Sequence, residues 1–264
     1  MASPSIIPKI KEIFNYRQLI SSLVFRDLAD RYKRSSLGFL WAVIEPLGFM
    51  AIYTVVFSII IRLNIEDYPV FLLCGILPWI YFSKSLIYST ESITKDSHLV
   101  KKIYFPREVL PISSVLARLV NFVISLIILE VFLVLFRNVH AAAALFWIIV
   151  VILVQTIFSI GLALILSSLN VYFQDVKLIL EFVALIWFYA TPVFYPISMV
   201  PEKLRPFYIL NPMAGIISSY RNIILENRAP ANAEFYVAAL LSFLTLFTGI
   251  FVFEKLNRRI GELI

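Results

Sequence analysis

Side chains able to do chemistry are few in this chain and widely scattered. There are two histidines, His98 and His140, and one cysteine, Cys74. The histidines fall in turns on opposite sides of the apolar runs and cannot share a site. Cys74 lies inside an apolar run, where packing as a small residue is its expected role and no internal disulfide is possible. No metal-ligand spacing, no Ser-His-Asp set and no G-x-x-x-x-G-K-[ST] phosphate loop occurs. The reading from these residues is that the chain is not an enzyme and carries no cofactor of its own. If it does work, the energy comes from elsewhere.

The charged residues that remain are informative by position. Glu45, Lys84, Arg118, Glu130 and Glu181 all sit within apolar runs, where an ionised group is expensive and needs a reason. Glu45 is followed by Pro46, which leaves the carbonyl of Ala42 without its usual donor. A polar cavity would accommodate both; so would a pair between Glu45 and a basic residue such as Arg118 on a neighbouring helix. Lys84 and Arg118 are near enough to an interface to snorkel. Lys177, one turn before Glu181, is placed to neutralise it.

Between two long apolar runs lies Asp96 to Pro111, DSHLVKKIYFPREVLP. Asp96 or Ser97 is a candidate helix cap, and Pro106 stops or redirects the chain about two turns later. This is expected to be a compact protruding element against which something soluble can push.

The elements that position these residues follow from composition. Sixty-one per cent of the 264 residues are apolar and fifteen per cent are charged, with a mean hydropathy of +0.89, far from the globular norm. The chain is an integral membrane protein. Scarce glycine and long Leu, Ile, Val and Phe runs without alternation favour helices over a barrel. Six runs are long enough to span: 39–61, 70–88, 112–136, 142–169, 178–194 and 235–253. The first begins too far along for a cleavable signal peptide.

Residues 1–38 precede these runs as an expected interface helix. Ile13, Tyr16, Ile20, Leu23, Val24 and Leu28 share one side, with Ser22 and Arg26 opposite. Asp27 with Arg31 and Asp30 with Arg34 are spaced four apart. The net charge of +6 is concentrated beside the apolar runs, which reads as membrane orientation and not nucleic-acid binding. Lys9, Lys11, Arg17, Arg26, Arg31, Lys33 and Arg34, the Lys95–Arg107 group and Lys255, Arg258 and Arg259 put both termini, the 95–111 loop and the 170–177 turn in the cytoplasm. Arg62, Arg137, Lys203, Arg205, Arg221 and Arg228 fall on the other side.

The stretch 191–233 is too apolar for an ordinary loop, yet prolines at 192, 196, 201, 206 and 212 cut it into pieces too short to cross. Asn211-Pro212 reads as an N-cap and first-turn proline opening a helix of about 14 residues, and Pro201-Glu202 as another start. The expectation is a re-entrant pair partly closing an outer mouth. Aromatic residues recur along helical faces: Phe39, Met50, Tyr53 and Phe57 in the first run, and Phe182 with Tyr189 and Phe188 with Tyr195 in the fifth. They suit a passage for sugars, whose C–H faces stack on rings, and equally suit packing against lipid. The whole chain fits one membrane domain, 39–264, behind its amino-terminal helix.

Four ordered stretches resemble a known family. FRDLADRYKRSSLGFLWAVIEPL (25–47), HLVKKIYFPREVLP (98–111), NVYFQDVK (170–177) and TPVFYPISMVPEKLRPFYILNPMAGIISSYR (191–221) are similar to segments of the ABC-2 type permeases that export polysaccharides and polyol phosphates. The resemblance implies a homodimer in the bacterial inner membrane, joined to two copies of a separate ATP-binding subunit that holds ATP and magnesium. Its cargo would be a polyprenyl-pyrophosphate-linked glycan, an O-antigen first, with capsule and teichoic-acid cargoes close behind. Coupling would fall on Ser97, His98, Leu99, Val100, Lys101, Lys102, Ile103, Tyr104, Phe105, Pro106, Arg107 and Glu108, with Asp175. Phe39, Trp41, Glu45, Tyr53, Phe57, Phe182, Trp187, Tyr189 and Phe194 would line the channel. Arg31, Lys33 and Arg34 would meet the lipid pyrophosphate. A membrane-embedded acyltransferase, the alternative from another class, needs an acid-base pair near one interface that the sequence does not offer.

Overall fold

The computed structural model describes residues 6–33, 38–63, 65, 67–137, 145–230 and 232–263. Among these the regular structure is entirely helical. In chain order the helices are α1 (Ile6–Asn15), α2 (Arg17–Tyr32), α3 (Trp41–Thr54), α4 (Tyr68–Thr90), α5 (Ser92–Lys95) and α6 (Ser97–Lys102). They continue with α7 (Val109–Arg137), α8 (Leu145–Tyr172), α9 (Val176–Tyr189), α10 (Arg205–Ile209), α11 (Pro212–Ile224) and α12 (Ala233–Leu263). A 3₁₀ turn, Gly38–Leu40, leads into α3, and α3 widens into a π turn over Val55–Ile60. Five helical stretches are long and apolar enough to cross a bilayer: Val43–Ile60, Tyr68–Thr90, Val109–Val131, Phe146–Tyr172 and Ala233–Asn257. This is a multi-pass membrane protein.

The core is organised around α4, whose Leu72, Cys74, Tyr81, Phe82 and Leu86 are fully enclosed. Rings lock it to its neighbours: Tyr81 stacks on Phe122 of α7 at 4.9 Å, and Phe82 on Phe158 of α8 at 5.4 Å. One polar connection runs through this apolar interior. Gln155 of α8 donates from Nε2 to the carbonyl of Pro78 and accepts from the Tyr220 hydroxyl of α11. Left unpaired, a buried amide of this kind would cost about 1–3 kcal/mol. α8 and α12 pack with their backbones in contact, since a Cβ on Gly249 would lie 2.3 Å from the Gly161 carbonyl oxygen. Small residues permit this approach where lipid supplies no hydrophobic drive between helices.

Several expected boundaries move. The amino-terminal segment is two helices, broken at Tyr16, whose N–H closes a tight turn on the Ile13 carbonyl at 3.0 Å. The third run starts at Val109 and the last helix continues past Phe253 to Leu263. The fifth run is helical only from Val176 to Tyr189. Thr191 and Pro192 end it, because Pro192 has no N–H to extend the ladder. At 14 residues this helix covers about 21 Å, short of a bilayer core on its own. Asn211 caps α11 as its sequence indicates, accepting from the Met213 N–H at 3.1 Å with Pro212 in the first turn. The second start, at Pro201-Glu202, yields turns followed by the five-residue α10. All of Arg34 and His140, with the Asp30–Arg34 pair, and the side chains of Arg31 and Phe39, lie outside the described residues.

Candidate functional site

At the basic end of the bundle α2, α5, α6 and the ends of α7, α8 and α12 converge on one small core. Leu23, Ile93, Phe105, Val109, Leu110, Leu164 and Phe253 are buried together there, with Tyr16, Leu19, Ile20, Leu99 and Val100 packed against them. The amphipathic face read for the amino-terminal helix is thus partly turned onto protein. Apolar contact supplies the adhesion and charged pairs fix the register.

The register comes from two adjacent residues of α2. Arg26 donates to Asp96, between α5 and α6, at 2.5 Å, and Asp27 pairs with Arg118 of α7 at 2.8 Å. Asp96 was a candidate cap, but its side chain makes no capping bond and is turned to Arg26 instead. Arg118 was expected to snorkel. It is 4% exposed, and its guanidinium lies 4.0 Å from the ring centre of Tyr88. A third tie holds the far side of the loop, where Arg107 donates to the carbonyl and side-chain oxygens of Asn257 on α12 at 2.9 and 3.0 Å.

These ties divide the expected coupling residues into two sets. Phe105, Pro106 and Glu108 are buried and Ser97, Leu99, Val100 and Arg107 half-buried, so they hold the element in place. His98, Lys101, Lys102, Ile103 and Tyr104 face outward, Tyr104 at 93% exposure. Asp175 is exposed just before α9. Nearby, Lys177 bridges to Glu91 at 2.8 Å, where spacing along the chain had pointed to Glu181.

A second feature is a groove of about 280 Å³ between α3 and α9, floored by α4. Its lining includes Glu45, Lys84, Ser83 and Glu181 together with Tyr53, Trp79 and Phe188. Glu45 pairs with Lys84, both oxygens 2.5 Å from the ammonium, so Lys84 is turned to this carboxylate and does not snorkel. Toward the other end, Tyr53, Phe57 and Phe194 form a ring cluster, with Phe57 and Phe194 4.9 Å apart and Tyr189 edge-on to Phe194. Trp41 and Phe182 are exposed on the outer faces of α3 and α9. Trp187 points away from the groove into the core, meeting Phe82 and Phe158 edge-on and donating to Asn211 Oδ1 at 2.9 Å.

One residue that spacing did not single out governs the turn after α9. Arg221 of α11, counted among the exterior charges, is 8% exposed and donates to the carbonyls of Pro192 at 2.7 Å and Val193 at 2.6 Å. Its guanidinium also stacks on Phe71 at 3.6 Å. Asn211 adds a bond from Nδ2 to the Thr191 hydroxyl. α9 and α11 are therefore stapled through the turn between them. The sequence signal was an arginine as the one charge on a short helix.

A multi-pass helical bundle with an ordered knob pinned at its basic end and a polar, ring-lined groove in its side has the form of a transport permease. The chain belongs to the ABC-2 type transporter family, whose model matches residues 18–225. It is 36% identical over 259 residues, 97% of this chain and 99% of the relative, to the O-antigen export system permease protein RfbA of Myxococcus xanthus. It is 33% identical over 260 residues, with the same coverage, to the protein of that name from Klebsiella pneumoniae. The polysialic acid transport protein KpsM of Escherichia coli is 24% identical over 248 residues, 89% of this chain and 92% of that one.

Proposed function

We propose that this chain is the permease subunit of an ABC exporter in the bacterial inner membrane that moves a lipid-linked polysaccharide, of the O-antigen type, out of the cytoplasm. ATP and magnesium are held and ATP is hydrolysed in a separate subunit. The observation that carries this reading is the pinned knob: an outward-facing α6 whose base is tied to α2 through Asp96 and whose following loop is tied to α12 through Arg107, while α2 is tied in turn to α7. A push on such an element moves helices, whereas a push on a slack loop would be absorbed. Full-length similarity to O-antigen permeases, with weaker similarity to a polysialic acid transporter, favours O-antigen over capsule as the cargo.

In this reading the basic end is cytoplasmic, with both termini there, and two copies pair across the α3 and α9 faces. α9 with the turn 190–194 counts as the sixth transmembrane segment, and α10 and α11 form the re-entrant pair on the outer side. Closure of the ATPase dimer presses on His98, Lys101, Lys102, Ile103 and Tyr104, with Asp175 and α2 as further contacts. The force reaches α3 and α9, and the groove with Trp41, Glu45, Tyr53, Phe57, Phe182, Tyr189 and Phe194 opens into a passage whose rings stack on sugar. Arg31, Lys33 and Arg34 meet the pyrophosphate of the carrier.

The test is to purify the chain with and without a candidate partner ATPase. Stable co-purification and ATP hydrolysis that rises with lipid-linked glycan support the exporter. Glycan transfer by the chain alone, with no nucleotide hydrolysed, overturns it.

A further inference from the structure

A polar pocket of about 480 Å³ opens at the basic end between α5 and the last turn of α8, lined by Glu91, Thr94, Lys95, Asn170 and Gln174. Asn170 is 4% exposed, and its Oδ1 is buried with no hydrogen-bond partner among the described residues. Such an orphaned acceptor costs roughly 1–3 kcal/mol and calls for a donor from outside the chain. The other fixed groups have the same polarity. Thr94 spends its proton on the backbone carbonyl of Glu91, which leaves its oxygen as an acceptor toward the pocket. Glu91 pairs with Lys177 through Oε1, and its second oxygen is in no ion pair among the described residues. Lys95 is exposed at the rim and free to swing outward.

Three fixed acceptors, one of them charged, thus surround a cavity that adjoins the coupling element on one side and the 170–177 turn on the other. We propose that this pocket receives a guanidinium side chain from the partner ATPase, which rests on the exporter reading given above. Arginine is the side chain with enough donors in one plane to satisfy Asn170 Oδ1, Thr94 Oγ1 and the open oxygen of Glu91 together. An anion such as a lipid diphosphate would meet the Glu91 carboxylate and two acceptors at the enclosed wall, with donors only from Lys95 and Gln174, both exposed at the rim.

The experiment uses the full permease and its ATPase, with binding between the two as the readout and thermal melting of each variant as a folding control. Asn170→Leu and Glu91→Gln are expected to weaken ATPase binding by about tenfold each, the scale of a lost charge-assisted bond. Asn170→Asp, which keeps the acceptor and adds charge, is expected to bind at least as tightly as the unaltered chain. Among single arginine-to-alanine changes in the ATPase, one should match these losses and add nothing further when combined with Glu91→Gln. Should Asn170→Asp bind as poorly as Asn170→Leu, or every ATPase arginine combine additively with Glu91→Gln, the proposal falls. If Asn170→Leu does not fold, Glu91→Gln on its exposed carboxylate decides the matter through the same additivity. An unaltered permease that binds no ATPase removes the exporter reading itself, whereas normal binding that none of these variants weakens removes only the pocket.

Discussion

Asp27 of α2 and Arg118 of α7 meet at 2.8 Å, with the aspartate 23% exposed and the arginine almost fully enclosed against the Tyr88 ring. The pair is asymmetric: water still reaches Asp27 but not the guanidinium. Asp27→Ala should therefore cost about 3 kcal/mol, the scale seen when a buried charge loses its partner, read as a lowered melting temperature in detergent. Adding Arg118→Leu should recover part of that loss, because an apolar side chain suits the enclosed site better than a cation that has lost its Asp27 carboxylate. A double variant no more stable than Asp27→Ala would mean that the pair does not hold α2 to the bundle.

The neighbouring pair should behave differently. Arg26 is 40% exposed in its pairing with Asp96, so water screens it and its share of stability is only about 0–1 kcal/mol. Its value is positional, since it joins α2 to the base of α6. Arg26→Ala should leave the melting temperature nearly unchanged while lowering glycan-stimulated ATP hydrolysis in the assembled exporter. Charge reversal at both positions, Arg26→Asp with Asp96→Arg, should restore part of the stimulation. Stimulation unaffected by Arg26→Ala would remove α2 from the coupling path.

The close approach of α8 and α12 gives a test of packing alone. Alanine at Gly249 would bring its Cβ against the backbone of Gly161, where no side chain can yield, whereas at Gly48 nothing lies within 4 Å. Gly249→Ala should destabilise the protein by about 1–3 kcal/mol, and Gly48→Ala should be neutral or slightly stabilising. Equal melting temperatures for the two would show that the helices are not in backbone contact.

How much of this was legible in the sequence depends on whether the signal is local. Asn211-Pro212 announced α11 because a cap and a first-turn proline act within one turn of chain, whereas at the 96–111 knob the short helix forms without the cap that Asp96 had suggested. The choice of charged partners was not. Spacing offered Arg118 as a partner for Glu45; the structure adds Lys84 on Glu45 and Asp27 on Arg118, neither of which spacing had indicated. Such a choice is made by which helix faces meet, and α4 lies between those of Glu45 and Arg118 in the chain without any spacing that reveals it. Trp187 stands among the residues that the family resemblance would put along the channel, but the heptad step that aligns Phe182 with Tyr189 leaves it on the opposite face of α9. Arg221 looked like one more exterior charge, because nothing in its neighbours discloses three carbonyls within its reach.

Asn211 does three things at once, and each should be separable. Its Oδ1 caps α11 and accepts from Trp187, while its Nδ2 donates to Thr191. Asn211→Ala loses a cap of about 1 kcal/mol and strands the indole N–H. Asn211→Asp keeps the acceptor and loses only the donor. Melting temperatures should therefore rank the unaltered chain first, Asn211→Asp next and Asn211→Ala last. In a Trp187→Phe background the step from Asn to Ala should shrink, because no N–H remains to be stranded. An unchanged step would mean that the indole bond contributes nothing.

The proposed pairing with a second copy can be tested on the faces of α3 and α9. Ile52 on α3 is 62% exposed and Ile186 on α9 53% exposed, on the two apolar flanks of the groove. Lipid alone would satisfy these faces, so their exposure does not by itself demand a partner. The groove, however, holds Glu45, Lys84 and Glu181 between those flanks, and polar groups at membrane depth are tolerated where protein or water covers them. A second copy laid across α3 and α9 would enclose them. Cysteines at Ile52 and Ile186 on separate copies should then form a disulfide under mild oxidation, while a cysteine at Ile149, 58% exposed on α8, should not cross-link to itself. The native Cys74 is buried with no measurable exposure and its thiol is out of reach, so it adds no background. Cross-linking at Ile149 but not between Ile52 and Ile186 would place the subunit seam on the α8 side and leave the groove open to lipid.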